Sequence, residues 1–220
     1  MITTLIWDAG GTLFDSYPAV VRAFATALSE WGHTLPSEEL LSLTRRSRNY
    51  AAQTLARHFA LDAEALLAAF HRQYSALPPT EQPPFPGARE LCTYIRAHGG
   101  RNFIVTHREH ASLMALLETH TMLNEFTALI TQEDPYPRKP APDALNALVQ
   151  RYALDRSATL AIGDREIDIA AARAAGLRAC YFGAPPAPDG IEIAVQSYKE
   201  LQRIIQRENE RQDLHVFHAR

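Results

Sequence analysis

Lysine is nearly missing from this 220-residue chain: Lys139 and Lys199 are the only two, and the rest of the positive charge is arginine. That scarcity singles out Lys139 for inspection. Cysteine is scarce as well, with Cys92 and Cys180 far apart in no metal-ligand pattern, so two buried reduced thiols are expected. No apolar run approaches the ~20 residues needed to span a bilayer. The N-terminus has no basic segment followed by a long apolar stretch, so no signal peptide is read there and a cytoplasmic protein is expected. The net charge is only -3, which gives no electrostatic reason to expect nucleic acid or an acidic membrane as a partner. What remains is an ordinary globular composition, 46% hydrophobic and 21% charged, long enough for one sizeable core or a core with a smaller second unit.

The first apolar run, residues 4–7, ends at Asp8 and opens into Gly10 and Gly11, so it reads as a buried strand leading into a glycine loop. Residues 18–74 then carry helical periodicity without a strand-like interruption. Val21, Phe24, Leu28 and Trp31 form one apolar stripe; Leu66, Phe70 and Tyr74 form another, behind a candidate N-cap at Asp62. Proline-dense residues 77–87 stop the helical pattern. Beyond Gly87, helices over 88–98, 111–118, 143–152 and 166–175 alternate with strands over 102–106, 127–131, 159–162 and 178–182. This alternation predicts an α/β fold: a Rossmann-like parallel sheet sandwiched by helices, with an all-α insertion after the first strand. The expected division is a core of 1–15 and 85–220 with a helical cap of 16–84. A charged terminal helix is expected over 198–211, docking through Leu201, Ile204 and Ile205, and residues 215–220 receive no assignment.

In a parallel sheet, sites form outside the carboxyl ends of the strands. Polar residues stand at four such places: Asp8, Thr106, Lys139 before a helix, and Asp164 with Asp168 one turn later. Each alone has an ordinary reading, as a turn residue, a cap or a solvated charge. Together, those readings would require four coincidences at one edge. Asp8 and Asp164 on neighbouring strands can share a hard divalent cation, and Mg²⁺ prefers a few carboxylates with water and phosphate oxygens. Lys139 and the Thr106 hydroxyl could hold the remaining phosphate oxygens, and Asp8 could attack phosphorus to give an aspartyl-phosphate. Asp168, four residues after Asp164, is expected on the same helix face, orienting Lys139 or the metal waters.

Asp8-x-x-Gly11-Thr12-Leu13, Thr106, Lys139-Pro140 and Gly163-Asp164-x-x-x-Asp168 resemble, in order and spacing, the four motifs of the haloacid dehalogenase-like hydrolase superfamily. The helical stretch before Phe85-Pro86-Gly87 resembles the α-helical cap of its phosphoglycolate phosphatase-like group. The resemblance covers nearly the whole chain and implies a Mg²⁺-dependent phosphatase acting on a small phosphorylated metabolite; separately, a monomer or homodimer is expected. It implies Asp8 as nucleophile and metal ligand, Asp164 as second ligand, and the Gly10 carbonyl as a further ligand. Thr106 would bind phosphate, Lys139 would stabilise charge, and Asp168, Gly11 and Thr12 would support the site.

The pattern is broken at Gly10, where most phosphatases of the family carry a second Asp that protonates the leaving oxygen and later activates water. General acid–base help of this kind is worth about 10²–10⁴-fold. Three consequences stay open: substrates with good leaving groups, a substitute such as His107 beside Thr106, or a protein that binds phosphorylated ligands without turning them over. The last is the alternative to an enzyme. Phosphonoacetaldehyde hydrolases also lack that Asp but need a cap lysine, and residues 16–84 contain none. Haloacid dehalogenases would carry an aromatic residue at position 10. In the helical segment, Arg45, Arg46 and Arg48 read first as a cationic helix end, with contact to a second anionic group of the substrate as the functional alternative.

Overall fold

Four- and five-residue apolar runs without alternation are what a strand covered on both faces requires. In the computed structural model, which describes residues 1–218 and the side chains of 1–211, these runs become a six-stranded sheet. Its strands are β1 (Thr4–Trp7), β2 (Arg101–Val105), β3 (Ala128–Ile130), β4 (Thr159–Gly163), β5 (Arg178–Phe182) and β6 (Ile193–Val195). Their order is β3-β2-β1-β4-β5-β6, and every pairing is parallel. The fold is therefore the expected Rossmann-like α/β class. The sequence reading missed β6, a three-residue edge strand with a short apolar signal.

The chain divides into two compact units, Met1–Phe14 with Pro84–Arg220, and Asp15–Pro83. In the first, α5 (Ala88–Ala97), α6 (His110–Thr119) and α9 (Tyr198–His218) supply one apolar cluster with Leu5, Trp7, Ile104 and Ile162. The opposite cluster joins α7 (Asp143–Arg151) and α8 (Glu166–Ala174) to Ile6, Phe103, Val105 and Ala161. Successive residues of one strand thus enter different clusters, as the period of two demands. Cys92 and Cys180 are both buried, free thiols in the first cluster, and burial pushes both thiols upward in pKa.

Asp15–Pro83 is built from α1 (Tyr17–Ser29), α2 (Ser37–Arg46), α3 (Arg48–Phe59) and α4 (Ala63–Ser75). Asp62 caps α4 by accepting from the Ala65 N–H at 2.7 Å. Phe24 of α1 stacks on Phe70 of α4, ring centroids 4.1 Å apart, at the heart of a separate apolar cluster. Trp31 corrects the expected stripe: it lies beyond the end of α1 and is 37% exposed. The terminal helix also runs further than expected, to His218; of the unassigned residues 215–220, 219 and 220 lie outside the described residues. Among the described residues, no helix is long and apolar enough to cross a membrane.

Candidate active site

β1 is the central strand, hydrogen-bonded to β2 on one side and β4 on the other. The chain builds outward from β1 through β2 to β3, then returns to lay β4 on the other side of β1. In such sheets the strand ends beside that reversal are the usual place for a ligand. Trp7 is level with Ile104 and Ile162, so Asp8, Thr106 and Asp164 emerge within about a residue of the same height on three neighbouring strands.

Asp8 is held in place by its own N–H, which donates to the Ile162 carbonyl at 2.9 Å. The following loop turns back sharply, with Phe14 N–H on the Ala9 carbonyl at 2.8 Å and Gly11 N–H on the Phe14 carbonyl at 2.9 Å. Gly11 supplies the left-handed backbone this turn needs, at φ 85°. Gly10, one residue earlier, is half-buried and pairs with Phe14 through its backbone. Thr12 is buried, and its hydroxyl donates to Asp164 Oδ1 at 3.2 Å.

Lys139 comes from the loop ahead of α7, yet its side chain is only 5% exposed. Its ammonium donates to Asp8 Oδ1 at 2.6 Å and to the Val105 carbonyl at 3.1 Å, and lies 2.5 Å from Asp168 Oδ1. Burial works against this charge, but Asp168 and Asp8 outweigh it and hold the lysine above its ordinary pKa. The solvated-charge reading of Lys139 is thereby excluded.

Asp164 and Asp168 do not share a helix face. Asp164 precedes Arg165, the N-cap of α8, while Asp168 sits inside the first turn and accepts from the Arg165 N–H at 3.1 Å. The strand-to-helix turn brings them together, and it requires glycine at 163. A Cβ there would lie 2.2 Å from Asp168 Cβ. Asp8, Asp164 and Asp168 each present a carboxylate oxygen within 4.8 Å of the others. Three carboxylates facing one buried ammonium form an all-oxygen donor set with excess negative charge, which fits a hard divalent cation.

Thr106 is buried after β2, and its Oγ accepts from the Arg108 N–H at 3.2 Å. It is therefore a turn cap, while its hydroxyl proton can still be donated elsewhere. His107 differs from the expectation of a substitute acid. Its Nε2 accepts the Lys139 backbone N–H at 2.9 Å. Burial, then the charges of Lys139, Arg138 and Arg165, lower its pKa to about 3. It is a neutral support for the lysine loop.

Arg45, Arg46 and Arg48 lie in the other unit. Arg45 and Arg46 close α2, stacked over Tyr17 (5.3 Å) and Tyr50 (4.2 Å). Arg48 opens α3 and lies over Tyr74 at 4.7 Å. Sequence reasoning missed Tyr198, in α9. Its hydroxyl donates to the Thr12 carbonyl at 2.6 Å, and its ring stacks on Phe182, centroids 4.3 Å apart. The signal available was a lone aromatic leading a charged helix, which points to docking but not to a loop it would hold.

With this geometry established, comparison with known proteins defines the class. The family model of the haloacid dehalogenase-like hydrolases matches residues 2–176, and the chain belongs to that family. It falls in the phosphoglycolate phosphatase-like group and is a phosphatase by class. A phosphoglycolate phosphatase of Cereibacter sphaeroides is 32% identical over 186 residues, covering 81% of this chain and 84% of its own. A crystal structure of a hydrolase from Streptococcus pneumoniae TIGR4 is 31% identical with a TM-score of 0.65, covering 83% of this chain and 94% of that one. A crystal structure of a predicted phosphoglycolate phosphatase from Haemophilus somnus reaches a TM-score of 0.82 over 93% of this chain and 98% of that one. At 16% identity, it speaks for the fold alone.

Proposed function

We propose that the protein is a Mg²⁺-dependent phosphatase of a small phosphorylated metabolite, working through an aspartyl-phosphate on Asp8, with the usual acid–base aspartate replaced by Gly10. The observation that carries this reading is the buried cluster at the end of β1. Asp8 accepts from Lys139 at 2.6 Å, and Asp164 and Asp168 present oxygens within 4.8 Å. A solvated turn residue would have no need of this arrangement. An oxygen of Asp8 forms the bond to phosphorus as the bond to the leaving oxygen breaks. The Thr106 hydroxyl donates to a phosphate oxygen, and the Lys139 charge offsets the repulsion between Asp8 and an anionic substrate. Asp168 orients Lys139, and Gly11 and Thr12 shape the loop. Asp8, the Gly10 carbonyl and Asp164 would hold Mg²⁺, whose chemistry when bound is to offset phosphate charge. Residues 16–84 act as a helical cap that selects the substrate, with Arg45, Arg46 and Arg48 as its cationic groups. The names of the curated relatives make phosphoglycolate the first ester to test. The reading carries a cytoplasmic site of action, in a monomer or homodimer, with neither nucleic acid nor membrane as partner.

The alternative, a phospho-ligand-binding protein without turnover, rests on Gly10 alone and leaves the Asp8–Lys139 pairing without a purpose. Asp8→Asn decides between them. The variant is expected to keep the fold, by circular dichroism, and to lose Mg²⁺-dependent hydrolysis of 4-nitrophenyl phosphate. Wild-type turnover in Asp8→Asn would overturn the aspartyl-phosphate reading.

A further inference from the structure

We infer that the preferred substrates are phosphates whose leaving group departs as a stable anion, acyl and aryl phosphates, rather than alkyl phosphate esters. The inference rests on the Asp8 reading above and deepens it. It comes from following the protons that the core unit could give to the leaving oxygen.

Gly10 has no side chain and offers none. The ammonium of Lys139 donates to Asp8 Oδ1 at 2.6 Å and to the Val105 carbonyl at 3.1 Å, and it is ion-paired with Asp168 Oδ1 at 2.5 Å. His107 accepts at Nε2 from the Lys139 N–H, so its ring proton is on Nδ1, and its near nitrogen is committed to the lysine loop. The Thr12 proton is directed to Asp164 Oδ1 at 3.2 Å. Thr106 can donate a hydrogen bond, but a neutral hydroxyl does not release its proton at working pH. The nucleophile and charge-stabilising groups are thus in place, and among these described residues around Asp8 none is an acid free to protonate the leaving oxygen.

The consequence follows from the leaving group. When Asp8 forms its bond to phosphorus, the P–O bond breaks and its electron pair leaves with oxygen. From an alkyl ester that is an alkoxide, a base nearly as strong as hydroxide, whose conjugate acid water ionises near ~15.7. A phenol ionises near ~10 and a carboxyl group near ~4, so phenolate and carboxylate leave with no proton supplied. In the second half-reaction, water attacks phosphorus, the Asp8 carboxylate is released, and both water protons depart with the phosphate. The left-handed φ of 85° in this turn belongs to Gly11, not to Gly10.

The test uses the wild-type full chain with Mg²⁺ and four probes: acetyl phosphate, 4-nitrophenyl phosphate, phenyl phosphate and phosphoglycolate. The readout is kcat/KM, which reports the phosphorylation half-reaction. It is expected to rise steeply as the leaving group becomes more acidic. Acetyl and 4-nitrophenyl phosphate should exceed phosphoglycolate by at least ~10²-fold, the lower end of what a general acid supplies. Equal or higher kcat/KM for phosphoglycolate, or a flat series, overturns the inference, because a proton donor must then come from outside the core unit. Asp8→Asn separates the two failures. A flat series that collapses in Asp8→Asn removes only this inference; turnover surviving in Asp8→Asn removes the nucleophile and the inference together.

Discussion

The two units place their charges in opposite ways. At the strand ends, Asp8, Lys139 and Asp168 are almost wholly buried and joined within 2.6 Å. In the helical unit, the charges stay on the surface: Arg72 pairs with Glu30 at 2.8 Å in solvent, and Arg45 and Arg46 are exposed over tyrosine rings. The interior of that unit is instead apolar, from Phe24 to Phe70. Ionic groups are costly to bury, so a domain that buries several together is sacrificing stability for chemistry. A domain that buries none is free to vary its surface. Under the proposed function, catalysis and selection would thus fall to units that differ in the kind of residue they bury.

Lys139→Met should break this contrast with the largest effect on folding. It leaves Asp8 and Asp168 buried without their cation, a loss of about 3–5 kcal/mol. Chemical denaturation in chelator at neutral pH measures it. A variant as stable as the wild type would show that the buried carboxylates do not need this cation.

Tyr198→Phe should act next, at about 1–3 kcal/mol. It removes the donor from the Thr12 carbonyl while keeping the ring stack on Phe182. Since Thr12 also donates to Asp164, the variant should lower kcat as well as the melting temperature. Unchanged kcat with lowered stability would make Tyr198 a packing residue only. The family model ends at residue 176, so this anchor is a feature that the match does not reach.

Most of the core was legible because its signals are local. Apolar runs such as Leu160-Ala161-Ile162, followed by Gly163 and Asp164, mark a strand, its end and a polar residue there. The alternation of such runs with helices dictates a parallel sheet and so brings their ends together. What stayed hidden depends on contacts far apart in sequence. That Lys139 is buried between Asp8 and Asp168, or that Tyr198 holds Thr12, cannot be read from spacing. The role of His107 stayed open for the same reason: its neighbour Thr106 was visible, but the Lys139 backbone that fixes its Nε2 was not. The strand-to-helix turn also defeated helical counting, because Asp164 falls before the cap and Asp168 after it.

Arg46→Ala is the opposite limit and should do least. Arg46 is exposed at the end of α2, with its guanidinium 4.2 Å over the Tyr50 ring and 2.9 Å from the Tyr50 hydroxyl. An exposed cation–π contact is worth about 0.5–1 kcal/mol, and the charge also complements the helix C-terminus. The melting temperature should therefore fall slightly, and KM and kcat for a monoanionic leaving group should be unchanged. The informative substrate is one carrying a second negative charge, such as phosphoglycolate. If Arg46 only ends its helix, KM for that substrate stays at the wild-type value. A rise in KM at constant kcat would move Arg46 from the surface of the helical unit into substrate selection, and the line between a catalytic core and a variable surface would then run through α2.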